Sequence, residues 1–189
     1  MESRTLDRIK NKFPSFPEIV LVLSTIVFIN FSWSIGRMFR IIPSWLYFLS
    51  VWDLIPILTY VLAFALVESS LIIGLLLFLS FLLPPRYLKN HFKTQGSLMA
   101  IMFGAIAILA HRYLSITYPW SPRQIIVYST LAVSAVVFFA LVISYISVSR
   151  STRFENLIFG LVEHMSIFFY IYVPLGILGL IVIGIRNIF

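Results

Sequence analysis

Between Leu54 and Leu83 the chain carries one charged side chain, Glu68, and almost every other residue is apolar. A stretch of about 18 or more apolar residues with few or no charges can cross the hydrocarbon core of a bilayer as a helix. The run has to be helical in lipid, because only helices and closed barrels satisfy every backbone N–H and C=O group internally. It therefore predicts a membrane-spanning helix.

The composition indicates the same class of protein. Hydrophobic residues make up 60% of the 189 residues and charged residues only 11%, whereas soluble domains contain about 45–50% apolar and roughly 25% charged residues. The net charge of +7 resides in short segments between apolar runs. Anionic headgroups and the orientation of insertion explain it better than nucleic acid does. Because the chain has no cysteine, disulfides, thiolate metal sites and cysteine nucleophiles are excluded.

Five apolar segments predict an all-α polytopic integral membrane protein, a single bundle of five transmembrane helices. The predicted spans are residues 18–36, 53–83, 97–113, 124–148 and 156–185. The second span exceeds the roughly 30 Å of the hydrocarbon core. One long helix is preferred over a hairpin broken at residues 68–70, because no pair of turn residues stands there. Aromatic residues between the first two spans predict a short interfacial helix near residues 44–52.

The distribution of Lys and Arg predicts the orientation, because short cytoplasmic loops carry an excess of these residues. If the amino terminus is cytoplasmic, nine Lys and Arg residues fall inside and five outside. The inside residues are Arg4, Arg8, Lys10, Lys12, Arg86, Lys89, Lys93, Arg150 and Arg153, and the outside residues are Arg37, Arg40, Arg112, Arg123 and Arg186. We therefore expect a plasma (inner) membrane protein with its amino terminus inside and its carboxyl terminus outside.

Three ionisable residues are predicted near the bilayer midplane: Glu68 in the second span, and Glu163 and His164 in the fifth. An ionised side chain there costs about 2.5–3.5 kcal/mol on insertion scales, so each group requires a partner, a proton or water. We expect a hydrogen bond between Glu68 and His164 that fixes helix register, with Glu163 facing a second polar partner or a small wet cavity. A proton or ion pathway, or contact with a polar residue of a partner protein, remains an alternative.

No metal or cofactor is predicted. Glu163 and His164 are adjacent, so they project about 100° apart around a helix and cannot easily chelate one ion together. The sequence also contains no pair of histidines at helical spacing, the arrangement that binds zinc in helical metal motifs.

Two further sets of residues carry predictions. Polar residues at the outer face could cradle a lipid phosphate, although contact of snorkelling arginines with headgroups is the simpler explanation. That set comprises Arg37, Arg40, Asp53, His111, Arg112 and Arg123. Small residues on one face of the third span predict close approach of another helix. That stripe comprises Ser97, Ala100, Gly104 and Ala107.

These features favour a small accessory or scaffold subunit that packs against or anchors a larger membrane complex. The sequence has no glycine-rich phosphate loop, no Ser–His–Asp set and no internal repeat, so an enzyme is the less favoured class. The 18 Phe, 9 Tyr and 4 Trp residues supply adhesive surface for other membrane subunits, a second copy or membrane lipids. The alternatives are a proton- or ion-conducting channel or transporter component that uses the midplane residues, and a lipid-directed membrane enzyme.

Overall fold

The computed structural model describes residues 14–84, 88, 91–117, 135, 137–140, 142–146 and 152–188 of the chain. The described residues form helices and no strand. The long helices are α1 (Phe16–Trp45), α2 (Val51–Leu82), α3 (Phe92–Thr117) and α4 (Thr152–Ile188), and a shorter apolar helix lies at Val137–Ile146. All four long helices are long and apolar enough to cross a membrane. This confirms the predicted class, an all-α membrane protein.

Local side-chain contacts mark where α1 and α2 begin. The backbone N–H of Ser15 donates to Oε2 of Glu18 at 2.8 Å, and the backbone N–H of Ser50 donates to Oδ2 of Asp53 at 2.9 Å. Each carboxylate stands three residues after the serine, which is the spacing of a capping box. These contacts satisfy backbone donors just before the first helical turn.

The predicted interfacial helix near residues 44–52 is wrong. α1 continues to Trp45, the Ser50–Asp53 cap starts α2 at Val51, and only a turn of residues 46–50 remains between them. Residues 44–45 belong to α1 and residues 51–52 belong to α2. The five residues between the two helices are too few for a separate helix. The exposed aromatic side chains Tyr47 and Phe48 lie on this turn.

α2 is one continuous helix past residues 68–70, where a hairpin was the alternative. The hydroxyl of Ser69 donates to the carbonyl of Ala65 at 2.7 Å, and that of Ser70 donates to the carbonyl of Leu66 at 2.9 Å. Because both hydroxyls bond to the preceding turn, the polar segment does not interrupt the helix.

α1 and α2 form an antiparallel pair joined near its middle. Nδ2 of Asn30 donates to Oγ of Ser69 at 3.2 Å. Beside this bond, Phe31 is buried in a cluster with Leu62 and Ala65. The two helices therefore run in opposite directions, as the short turn of residues 46–50 requires.

α3 and α4 run in the same direction as α1. Thr25 of α1 meets Ser97 of α3 at 3.5 Å between hydroxyl oxygens. The ring centroids of Phe28 and Phe168 are 4.9 Å apart, and those of Phe31 and Tyr172 are 5.1 Å apart. We call the end where α1, α3 and α4 begin the amino end of the bundle, and the end at residues 46–50 the turn end.

α3 ends toward the turn end at Thr117, and α4 begins at the amino end at Thr152. The predicted span 124–148 falls between these two helices in the chain and lies largely outside the described residues. In its described part, Val137–Ile146, Ala140 is buried with Leu76 and Phe92 in the core at the amino end.

Candidate functional site

A cleft of about 380 Å³ lies between α1 and α2 on the turn side of the Asn30–Ser69 hydrogen bond. Each helix contributes one wall that combines aromatic, aliphatic and charged side chains. The α1 wall comprises Trp33, Ser34, Arg37, Met38, Ile41 and Trp45, and the α2 wall comprises Ile57, Tyr60, Val61, Phe64, Ala65 and Glu68.

Glu68 lies at the deep end of this cleft. It is 17 residues after Val51 and 14 before Leu82, about 25 Å and 21 Å along the helix. This is close to the middle of a spanning helix. The side chain is exposed to the cleft, and within the described residues its carboxylate has neither a hydrogen bond nor an ion pair.

Arg37 occupies the same cleft nearer the turn end. It follows Asn30 by seven residues on α1, which is about 10 Å along the helix. The one ion pair among the described side chains joins His91 to Glu155, so Arg37 and Glu68 do not bridge the cleft. Aromatic side chains line the same cleft, so the cleft combines a cation nearer the turn end, aromatic walls and a carboxylate at depth.

Glu163 and His164 lie elsewhere, on the exposed surface of α4. Nδ1 of His164 is 2.7 Å from the carbonyl oxygen of Gly160, one turn earlier in the same helix. No hydrogen bond or ion pair involves the Glu163 carboxylate within the described part of the chain.

The structure does not bring Glu68 and His164 together, so the predicted hydrogen bond is not formed. Gly176 of α4 lies against Leu66 of α2. From this contact His164 is 12 residues, or about 18 Å, toward the amino end, whereas Glu68 is two residues, or about 3 Å, in that direction. The two residues are therefore separated by about 15 Å along the helix axes.

The direction of the side chains adds to this separation. The α2 residues that face α4 are Thr59, Ala63 and Leu66. Glu68 follows Leu66 by two residues, which turns it about 160° away around the helix. The distance of each residue from the ends of its predicted span indicates its approximate depth, but depth alone does not reveal which face of α2 meets α4.

The predicted outer-face set does not form one cluster among its described members. Arg37 lines the cleft, Arg40 is exposed on α1, and Asp53 accepts hydrogen bonds from Ser50 at the start of α2. His111 and Arg112 belong to helix α3, but their side chains are outside the described part of the structure, as is the whole of Arg123.

Most of the small-residue stripe on α3 faces α1. Ser97 and Ala100 are buried, and a Cβ atom added at Gly104 would lie 2.5 Å from Cγ2 of Ile29. Ala107 is exposed. α3 therefore approaches α1 closely at Ser97, Ala100 and Gly104, the part of the stripe nearer the amino end.

One polar contact at the amino end was missed by sequence reasoning. Nδ1 of His91 is 3.3 Å from Oε1 of Glu155, and the hydroxyl of Thr94 donates to the same oxygen at 3.5 Å. These contacts join the start of α3 to the start of α4. In the sequence, both residues stand close to the predicted cytoplasmic ends of spans. Because they are far apart along the chain, no local spacing pattern indicates the contact.

No protein-family model matches the chain, and neither the curated proteins nor the solved structures provide a match. The helices and their apolar surfaces define the class of protein, a polytopic all-α membrane protein.

Proposed function

We propose that the protein is a small multi-pass accessory subunit that packs against a larger membrane complex through the outer face of α4. The observation that carries the proposal is the exposure of Glu163 and His164 on a helix whose remaining exposed surface is largely apolar. Two adjacent ionisable residues on such a surface favour contact with another protein over contact with lipid alone.

The depth of Glu163 supports this proposal. Glu155 meets His91 at the amino end of the bundle, and Glu163 follows it by eight residues on α4, about 12 Å deeper. An ionised group within the roughly 30 Å hydrocarbon core costs about 2.5–3.5 kcal/mol when it faces lipid. A polar or basic side chain of a partner offsets this cost, and Nε2 of His164 provides a second polar group for the same contact.

The surroundings of Glu163 extend the same face. Ile167 and Tyr170 follow it at i+4 and i+7, the spacing of neighbours on one side of a helix, and Tyr170 is 76% exposed. A tyrosine combines a broad apolar ring with a polar hydroxyl, a combination enriched at protein interfaces. Glu163, Ile167 and Tyr170 therefore define the proposed contact face.

The alternative of a proton route through Glu68, Glu163 and His164 has less geometric support. Glu68 lies on the cleft side of α2, and His164 lies about 15 Å from it along the helix axes. A single chain of hydrogen bonds does not connect groups this far apart without further polar residues.

Photocrosslinking in native membranes tests the proposed face. A diazirine amino acid at position 167 should give a discrete protein adduct, because Ile167 is 63% exposed and one turn from Glu163. The matched control is position 78 on α2, where Phe78 is 60% exposed and no charged residue stands within a turn. Position 78 should give lipid adducts alone. Lipid adducts alone from position 167 would contradict the proposal.

Substitution of the glutamates provides the second arm of this experiment. Glu163→Leu should abolish the adduct at position 167, because it removes the polar group that the partner contacts. Glu68→Gln should leave the adduct unchanged, because Glu68 lines a different face of the bundle. An adduct that survives Glu163→Leu would show that apolar packing alone accounts for the contact.

We further propose that the amino end is cytoplasmic and that the turn end faces outward across the inner membrane. The excess of Lys and Arg at the amino end supports this orientation. The chain has no native cysteine, so single thiols at positions 84 and 47 report on opposite ends. An impermeant maleimide applied to intact cells should label Tyr47→Cys and not Pro84→Cys. The reverse pattern would invert the orientation.

A further inference from the structure

We propose that the cleft between α1 and α2 binds a lipophilic organic cation, with Glu68 as its counter-ion and aromatic side chains as its walls. This site is separate from the contact face on α4, and the inference does not depend on the proposed subunit function. It rests on the charge of Glu68, the arrangement of the aromatic rings and the volume of the cleft.

The carboxylate of Glu68 is the first ground for a cationic ligand. It opens into the cleft near the middle of α2 and has no hydrogen bond or ion pair within the described residues. A carboxylate at this depth is poorly solvated, so a positive charge stabilises it more strongly than at the surface. A neutral ligand would leave the charge of Glu68 uncompensated.

The aromatic walls are the second ground. Tyr60, Phe64 and Glu68 recur every four residues on α2, so two rings and the carboxylate follow one side of the helix from the turn end inward. Trp33 and Trp45 contribute to the opposite wall. The faces of aromatic rings attract cations, and aromatic cages commonly recognise quaternary ammonium groups.

The size and chemistry of the cleft define the class of cation. Its volume of about 380 Å³ lies in the lower part of the range for small-molecule sites, about 300–1,000 Å³. Glu68 is the only carboxylate among the lining residues, whereas hard metal cations require several oxygen ligands. An organic cation with delocalised or alkyl-shielded charge loses little hydration on entering such a site, so apolar walls suit it.

Arg37 makes the proposal easy to test because it opposes the same ligand. Its guanidinium lines the cleft about two helical turns nearer the turn end than the level of Glu68. A bound cation experiences repulsion from Arg37 and attraction to Glu68. An anionic lipid headgroup would experience the reverse, so the same two substitutions distinguish these ligands by opposite changes in affinity.

The experiment measures binding of tetraphenylphosphonium to the purified full-length protein in detergent by equilibrium dialysis. We expect one saturable site per chain. Glu68→Gln should weaken binding at least tenfold, and Arg37→Gln should strengthen it severalfold. The matched control is Glu163→Gln, which removes the other intramembrane carboxylate outside the cleft and should leave the affinity unchanged.

Phe64→Leu tests the cleft while keeping Glu68 in place, and it should weaken binding severalfold because one ring is lost. Thermal unfolding of each variant establishes that it is folded. Absence of saturable binding to the unsubstituted protein would overturn the proposal, as would equal affinities for the protein with and without Glu68→Gln. Vesicles of phosphatidylglycerol bound in an Arg37-dependent and Glu68-independent manner, with no cation binding, would assign the cleft to anionic headgroups instead.

Discussion

The first 18 residues of α3, Phe92–Leu109, and the long helix α4 are both long and apolar enough to cross a membrane, yet their surroundings differ. Of the most apolar 18-residue stretch of each helix, 39% of the residues are buried in α3 and only 11% in α4. α4 is nevertheless the more hydrophobic of the two. In lipid, therefore, a very hydrophobic helix can lie at the surface of this protein as readily as in its interior. The reason is that lipid tails are as apolar as the side chains of the core.

Polar and small residues identify the interior better. Thr94, Gln95 and Ser97 of α3 are all buried, whereas Ile167, Ile177 and Ile181 of α4 are exposed. Helices in membranes associate by close packing and polar contacts instead of by withdrawing apolar surface from water. The part of α3 rich in small and polar side chains is accordingly the part that the bundle encloses.

α4 comes closest to α2 at two glycines. A Cβ atom added at Gly176 would lie 2.8 Å from Cβ of Leu66, and one added at Gly179 would lie 2.7 Å from the backbone oxygen of Thr59. By contrast, nothing lies within 4 Å of a Cβ atom added at Gly184 of the same helix. The backbones of α2 and α4 touch at Gly179. A substitution at this residue is therefore the strongest test of how α4, the less buried helix, is held in the bundle.

Gly179→Ala should have the largest effect on stability. Its methyl group would meet backbone atoms of Thr59 and Ala63, which cannot move without shifting α2. We expect the free energy of unfolding to fall by about 2–3 kcal/mol, the upper part of the range for overpacked sites. Unfolding by sodium dodecyl sulfate in mixed micelles measures it. Gly184→Ala is the matched control and should change stability by less than about 0.5 kcal/mol; equal effects would contradict the close backbone contact of α2 and α4 at Gly179.

Gly104→Ala should have a smaller effect at the α1–α3 contact. The added methyl group would lie 2.5 Å from Cγ2 of Ile29, a side-chain atom, and no backbone atom of α1 is among its nearest neighbours. We expect a loss of about 1 kcal/mol, at the lower end of the overpacking range, measured by the same titration. Ile29→Leu removes the Cγ2 methyl and should restore most of the loss in the double variant. No recovery would mean that the α1 and α3 backbones resist the substitution.

The sequence predicted the features that depend on one helix at a time. The unbroken apolar run around Glu68 predicted a long second span, and α2 is continuous there. The spacing of Ser97, Ala100 and Gly104 predicted a close contact, and these residues face the bundle. Such features follow from helical periodicity, which local sequence determines.

Features that depend on the relation between two helices were not predictable. Glu68 and His164 were expected to bond because both lie inside the membrane, but the register set by Gly176 and Leu66 separates them. The cleft was missed for the same reason, since Arg37 and Glu68 belong to different helices and meet only through the antiparallel pairing of α1 with α2. Register and rotation arise from packing, which a single helix does not encode.

The contact between His91 and Glu155 should have the smallest effect of those considered, although it joins the two helices under comparison. The His91 side chain is 45% exposed and that of Glu155 is 24% exposed, so solvent screens the pair, and exposed ion pairs contribute only about 0–1 kcal/mol. Glu155→Gln should therefore lower the free energy of unfolding by less than about 1 kcal/mol. Glu163→Gln is the control, since its carboxylate has no ion-pair partner within the described residues and its substitution removes no ion pair. A loss comparable to that of Gly179→Ala would show that the amino-end contact contributes as much to holding α4 in the bundle as the glycine contact with α2 does.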